Sequence, residues 1–188
     1  MKNYFKLVSI TLFTLLFVAC SSDDDAAPEP VNEEEVITTV IATFTPESGA
    51  QVILTSTDND GEGPNAPVTV VSGVFSNSTL YTGTVEFRNE LEDPYEDITQ
   101  EVLEEALEHQ VFYGYNNDLG TITYNDTDSE GNPIGLTVNF QTSDTANGTI
   151  TITLRHEPTK DGEGVSEGDI TNAGGETDVE VSFEVEVQ

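Results

Sequence analysis

From Thr177 to Val187 the chain alternates without a break, with Val179, Val181, Phe183, Val185 and Val187 on one side and Glu180, Ser182, Glu184 and Glu186 on the other. Successive side chains of a β-strand point to opposite faces, so this period of two describes a strand with one buried and one wet face. A strand of that kind needs neighbours to satisfy its backbone and a second layer to cover its valines. The glutamates of the wet face also discourage edge-to-edge association.

Shorter runs of the same character fill most of the chain. Val36 to Thr45, Ala50 to Thr57, Pro67 to Ser72, Thr79 to Arg88, Gln110 to Tyr115, Thr121 to Tyr124, Leu136 to Gln141 and Thr149 to Arg155 are rich in Val, Ile, Thr and aromatic residues and are separated by Gly, Pro, Asn and Asp. The spacing predicts one helix, over about 97–109. Asp97 stands at its start, Ile98, Val102, Leu103, Ala106 and Leu107 share one side, and Glu101, Glu104, Glu105 and Glu108 share the other. Its acidic pairs repel across i,i+3 and i,i+4, so packing against a sheet has to hold it. Many short strands and one inserted helix predict a mainly β fold, an antiparallel immunoglobulin-like β-sandwich, with a small open barrel as the alternative.

The strands carry an internal echo. Adding 68 to Asp58, Asp60, Glu62 and Gly63 gives Asp126, Asp128, Glu130 and Gly131, and the same offset carries Leu54 onto Ile122 and Val70 onto Val138. At an offset of 65, Gly83-Thr84-Val85-Glu86-Phe87 falls on Gly148-Thr149-Ile150-Thr151-Ile152. The unit is strand, acidic turn, strand, polar turn, strand, and it predicts a degenerate duplication with both acidic turns at one end of the domain.

The amino terminus reads differently. Met1 to Lys6 is basic, Leu7 to Ala19 is an apolar run of signal-peptide length, and Leu16-Phe17-Val18-Ala19-Cys20 resembles a bacterial lipobox, with Phe17 where Leu is usual. The expected organisation is a lipoprotein signal peptide over 1–19, an acylated Cys20 with an acidic, proline-containing tether over 20–35, and a single domain over 36–188. Ser21, Ser22, Asp23, Asp24 and Asp25 look like the export signal that places lipoproteins of Bacteroidota on the outer face of the outer membrane. Of the 5 basic residues, Lys2 and Lys6 lie in the leader, so the mature chain sets three against 36 acidic ones, a formal charge of −33. Such a charge repels nucleic acid and anionic head groups and gathers cations.

Three places invite ligand chemistry. In each acidic turn three carboxylates, Asp58, Asp60 and Glu62 or Asp126, Asp128 and Glu130, alternate on a glycine-containing loop, which suits calcium. The same residues are also good turn formers, so plain solvated hairpins are the other reading. A long acidic segment over 157–176 would either complete such a site, meet a partner protein, or move freely. His109, expected at the carboxyl end of the helix, and His156 would make a zinc site if the fold brought them together beside Glu108 or Glu157. No nucleophile elbow, phosphate loop or dinucleotide fingerprint occurs, and carboxylates are too abundant for any pair to mark a glycosidase, so no enzymatic activity is expected. Trp is absent, leaving Tyr113, Tyr115 and Tyr124 as the aromatic groups for sugar stacking, and Asp144-Thr145-Ala146 matches a short O-glycosylation motif of Bacteroidota.

Asn32-Glu33-Glu34-Glu35-Val36-Ile37-Thr38-Thr39, Glu108-His109-Gln110, Arg155-His156-Glu157-Pro158 and the run from Gly168 to Asp178 together resemble a family of small flavobacterial lipoproteins of unestablished function, often labelled "type 1 periplasmic binding fold". A two-lobed α/β protein of that name is longer and richer in helix than this chain, so the fold expectation rests on the strands. The resemblance implies a non-catalytic surface module that accompanies an outer-membrane TonB-dependent transporter or a surface protein. A structural or adhesive surface protein without a small ligand is the alternative.

Overall fold

The computed structural model describes residues 35–188 apart from Glu62, Asn116 and Asn117. Nine strands and one helix follow in the order β1 (Thr39–Pro46), β2 (Val52–Thr57), β3 (Val68–Ser72), β4 (Leu80–Arg88), α1 (Ile98–Glu104), β5 (His109–Tyr115), β6 (Gly120–Tyr124), β7 (Thr137–Thr142), β8 (Ala146–His156) and β9 (Glu176–Val187). Six strands pair antiparallel as β3-β2-β1-β4-β7-β6, and three as β5-β8-β9. The core of the first sheet, β1-β4-β7-β6, facing β5-β8-β9, has the strand order of a constant-type immunoglobulin sandwich, and the β2–β3 hairpin widens it beyond β1.

Alternation decides which side chains meet between the sheets. Val40, Ala42 and Phe44 of β1, Val138 and Phe140 of β7, Ile150, Ile152 and Leu154 of β8, and Val181, Phe183, Val185 and Val187 of β9 all point into one core, the β9 face being the one its sequence predicts. Between β3 and β4 the chain crosses to the second sheet, where Phe75 bridges parallel to Val187. The Phe75 ring then meets Phe44, Tyr81 and Phe140 edge-on at 5.2–5.3 Å, the arrangement favoured by the ring quadrupoles. The phenol oxygen of Tyr81 accepts a 2.8 Å hydrogen bond from the Ser76 backbone.

Gly83 is the concession this cluster requires. A Cβ there would stand 2.8 Å from the Phe44 ring and 2.9 Å from a Val138 methyl. Gly83→Ala is expected to destabilise by about 1–3 kcal/mol through overpacking, seen as a lower urea midpoint. An unchanged midpoint would mean that the Phe44 ring has room to move.

The duplicated segments become two hairpins, β2–β3 and β6–β7, at opposite edges of the large sheet. Since all its pairings are antiparallel, β2 and β6 run the same way and both acidic turns lie at one end of the sandwich. The copies are not equivalent in detail. Thr57 pairs with Val68 in the first hairpin and Tyr124 with Val138 in the second, one residue out of step with the offset of 68. A slip of one turns a strand over, so Val70 is 56% exposed while Val138 is fully buried. The third matched strands also part company, β4 joining the large sheet and β8 the small one.

The helix is shorter than its wheel suggests. It ends at Glu104, residues 105–108 continue as turns, and His109 opens β5 instead of closing a helix. Ile98 and Val102 are buried, whereas Leu103 and Leu107 stay 51% exposed, because the apolar side of a longer helix is not completed. The Asp97 side chain caps nothing; what fastens the first turn is Thr99, whose hydroxyl accepts from the Phe87 amide at 2.9 Å and donates to the Phe87 carbonyl. The 157–176 segment is folded. Short 3-10 turns at Val165–Glu167 and Ile170–Asn172 bury Val165 and Ala173 against Phe112, on the outer side of β5.

Candidate functional site

The second acidic turn is held by donors from its own loop and from Lys160. Asp126 accepts from the backbone amides of Gly135 and Thr137, one at each carboxylate oxygen, both at 2.8 Å. Asp128 is buried; its Oδ1 accepts from the amides of Glu130 and Asn132, and its Oδ2 lies 2.9 Å from Lys160 Nζ. Lys160 is itself buried and also donates to the carbonyls of Ala106 and Pro133. Burial pushes the Asp128 carboxyl up, but the ammonium and the two amides outweigh it and hold the group below its usual range. In the turn where the sequence suggests calcium at Asp126, Asp128 and Glu130, the cation that Asp128 meets is the Lys160 ammonium, and Glu130 projects into solvent. The 157–176 segment does reach the acidic turn, but it brings a lysine.

The first turn is tied by similar means. Asp58 Oδ1 accepts from the Asp60 amide at 3.2 Å, and Asp60 Oδ2 accepts from the Asn65 side chain at 2.6 Å. Glu62, like Cys20 and the Ser21, Ser22, Asp23, Asp24, Asp25 signal, lies outside the described residues. Asp58 and Gly61 line a cleft of about 300 Å³ together with Glu35, Glu176, Asp178 and Glu180.

The two histidines stand at the middle of a separate grouping. His109 and His156 are directly paired across β5 and β8, with ring centroids 4.6 Å apart and both side chains buried. They close the core at the end where the chain enters β1. Glu35, four residues before that strand, puts Oε1 3.1 Å from His109 Nε2. Asp178 arrives by a different device. Leu154 pairs with Val179 and Arg155 with Thr177, so Asp178 is the extra residue of a β-bulge, a distortion that re-aims a side chain. One ligand atom from each of Glu35, His109, His156 and Asp178 lies within 4.8 Å of the others. The period-two pattern hides this residue, since in an unbulged strand Asp178 would share the outward face of Glu180.

Electrostatics reinforce the grouping. Burial alone would lower the His109 pKa, but the neighbouring Glu35 carboxylate outweighs it, and the imidazole titrates above its usual value. Glu35 moves the opposite way: burial raises it, and the His109 imidazole brings it below the ordinary carboxylate range. His109 Nδ1 donates to the Glu105 carbonyl at 3.3 Å, which fixes the ring so that Nε2 faces Glu35. Glu108 Oε2 stands 4.0 Å from His156 Nε2 on the surface side, and Glu108, His156 and Glu157 make a second, exposed grouping. Among the described residues no helix is long and apolar enough to cross a membrane. Comparisons with protein families, curated proteins and solved structures find no match.

Proposed function

We propose that this protein is a lipid-anchored module on the outer face of the outer membrane that works by binding, not by turnover, and that the acidic cleft lined by Glu35, Asp58, Asp178 and Glu180 is its binding site for a cationic ligand. One observation carries the reading: an acidic cleft is lined by Glu35 and Asp178, the two carboxylates that stand against the buried His109–His156 pair, at the end of the sandwich where the chain enters β1. The charge of the domain is also unevenly placed. The outer face of the large sheet is rich in threonine, Thr43, Thr55, Thr82, Thr84 and Thr123 among them, and its two charged groups, Glu86 and Arg88, pair at 2.6 Å. Acidic residues crowd the loops at the cleft end instead, a distribution that draws cations to it. A role beside an outer-membrane uptake system follows naturally, the module raising the local concentration of a cation.

Both halves of the proposal are open to direct tests. Cys20→Ala should abolish labelling by a radioactive fatty acid and release the protein from membranes, and replacing Asp23, Asp24 and Asp25 by alanine should protect it from protease added to intact cells. For the cleft, spermidine and a series of divalent cations are titrated into the protein, with Asp58→Asn combined with Glu180→Gln weakening whatever binds. Equal affinity in the double variant, or no binding of any cation, would remove the cleft from the proposal.

A further inference from the structure

The same cluster supports a narrower statement, which rests on the cleft being the binding site. We propose that Glu35, His109, His156 and Asp178 bind one first-row transition-metal dication, with zinc as its representative, and that this ion joins the two sheets at the end of the sandwich where the chain enters β1. Two imidazoles and two carboxylates make a donor set that such metals take in four-coordinate sites. Calcium and magnesium favour all-oxygen shells, so the nitrogen donors select against them.

Geometry supports the assignment beyond proximity. With bonds of roughly 2.0–2.2 Å to nitrogen and oxygen, tetrahedral ligands stand about 3.3 Å from one another. Nε2 of His109 and Oε1 of Glu35 are 3.1 Å apart, yet their alignment misses that of a hydrogen bond. Glu35 Oε2 is buried and finds no donor among the described residues. Buried acceptors are normally satisfied, and an ion between the groups would satisfy this one. Charge agrees: with neutral imidazoles the two carboxylates carry two negative charges, which a dication offsets without burying a net charge.

The supporting shell is in place as well. A metal-bound histidine usually donates its other ring N–H to a carbonyl or carboxylate, and His109 Nδ1 has the Glu105 carbonyl. The ligands come from four separate places: the chain before β1, the first residue of β5, the last of β8 and the bulge of β9. Only the folded sandwich assembles them, so binding couples to folding. Glu35 belongs to the chain leading into the large sheet and the other three to the small sheet, so the ion would cross-link the two layers.

The test uses the full chain, stripped with chelator and titrated with zinc, cobalt, calcium and spermidine. One zinc per chain is expected, at least a hundredfold tighter than calcium, and cobalt should give the intense visible absorption of a four-coordinate N/O site. His109→Ala and His156→Ala should each abolish stoichiometric binding. Asp178→Asn, which keeps size and shape, should weaken zinc at least tenfold while circular dichroism of the metal-free protein stays unchanged, so a failure of the histidine variants to fold leaves the question decidable. Zinc bound no better than calcium, zinc binding indifferent to Asp178→Asn, or a six-coordinate cobalt spectrum would overturn the assignment. Spermidine binding without zinc binding would overturn it while leaving the cleft as a cation site; binding of neither would remove both.

Discussion

Lys160→Met is expected to cost about 3–5 kcal/mol of folding stability, the usual penalty for removing one partner of a buried ion pair. Methionine preserves the apolar stem, so the loss isolates the ammonium. Without it the Asp128 carboxylate stays buried with two amide donors, and the carbonyls of Ala106 and Pro133 lose their common partner. Those contacts fasten the 157–176 segment to the second acidic turn and to the end of the helical region. Acid changes the comparison in a definite direction. Asp128 is held below its usual pKa, so its stabilising contribution is complete above the ordinary carboxylate range and fades as pH falls through the depressed value. In the variant the carboxyl, stripped of its ammonium, accepts a proton at higher pH and thereby relieves its own burial. The gap between wild type and Lys160→Met in urea unfolding should therefore be widest near neutrality and narrow as the solution is acidified. Adding Asp128→Asn to Lys160→Met should recover part of the loss, because an amide is cheaper to bury than an unpaired charge. A wild-type midpoint for Lys160→Met at pH 7 would show that the pair contributes nothing net.

These residues also show what a one-dimensional pattern conveys and where it stops. The strands of β1 and β9 announce themselves because alternation is local: Phe44 or Val181 needs only its neighbours at two residues' distance to declare a face. Their assembly into a sandwich follows from there being many of them and little helix. Function is carried by contacts that alternation does not encode. Asp126 and Asp128 share spacing and chemistry with calcium loops, yet the cation beside Asp128 is Lys160, more than thirty residues away along the chain. His109 and His156 meet through strand pairing at a separation no motif describes. Glu35 sits in the acidic run that reads as tether, and Asp178 reads as an ordinary outward residue until the bulge turns it.

Zinc at about a thousand times its dissociation constant should stabilise the folded protein by about 4.1 kcal/mol, since an ion that binds only the native state adds RT ln(1 + [L]/Kd). For a domain of this size each kcal/mol raises the unfolding midpoint by about 2–4 °C, so the expected rise is on the order of 8–16 °C. The full increment appears when the unfolded chain binds weakly, and the site meets that condition: its two histidines are far apart in sequence, and its carboxylates come from opposite ends of the domain. Calcium at the same concentration should give a much smaller shift, arising from general screening of the acidic loops, and that shift should vanish in high monovalent salt, whereas the zinc shift should persist. The variants divide the effect. Asp178→Asn should lower the zinc increment with its loss of affinity, about 1.4 kcal/mol for each tenfold, and His156→Ala should remove the increment altogether. Asp126→Asn should leave the zinc increment intact while lowering the metal-free midpoint, because its carboxylate serves the backbone of its own loop and lies outside the proposed centre. Equal zinc increments in wild type and His156→Ala would place the ion elsewhere on the acidic surface and return the histidine pair to a purely structural part.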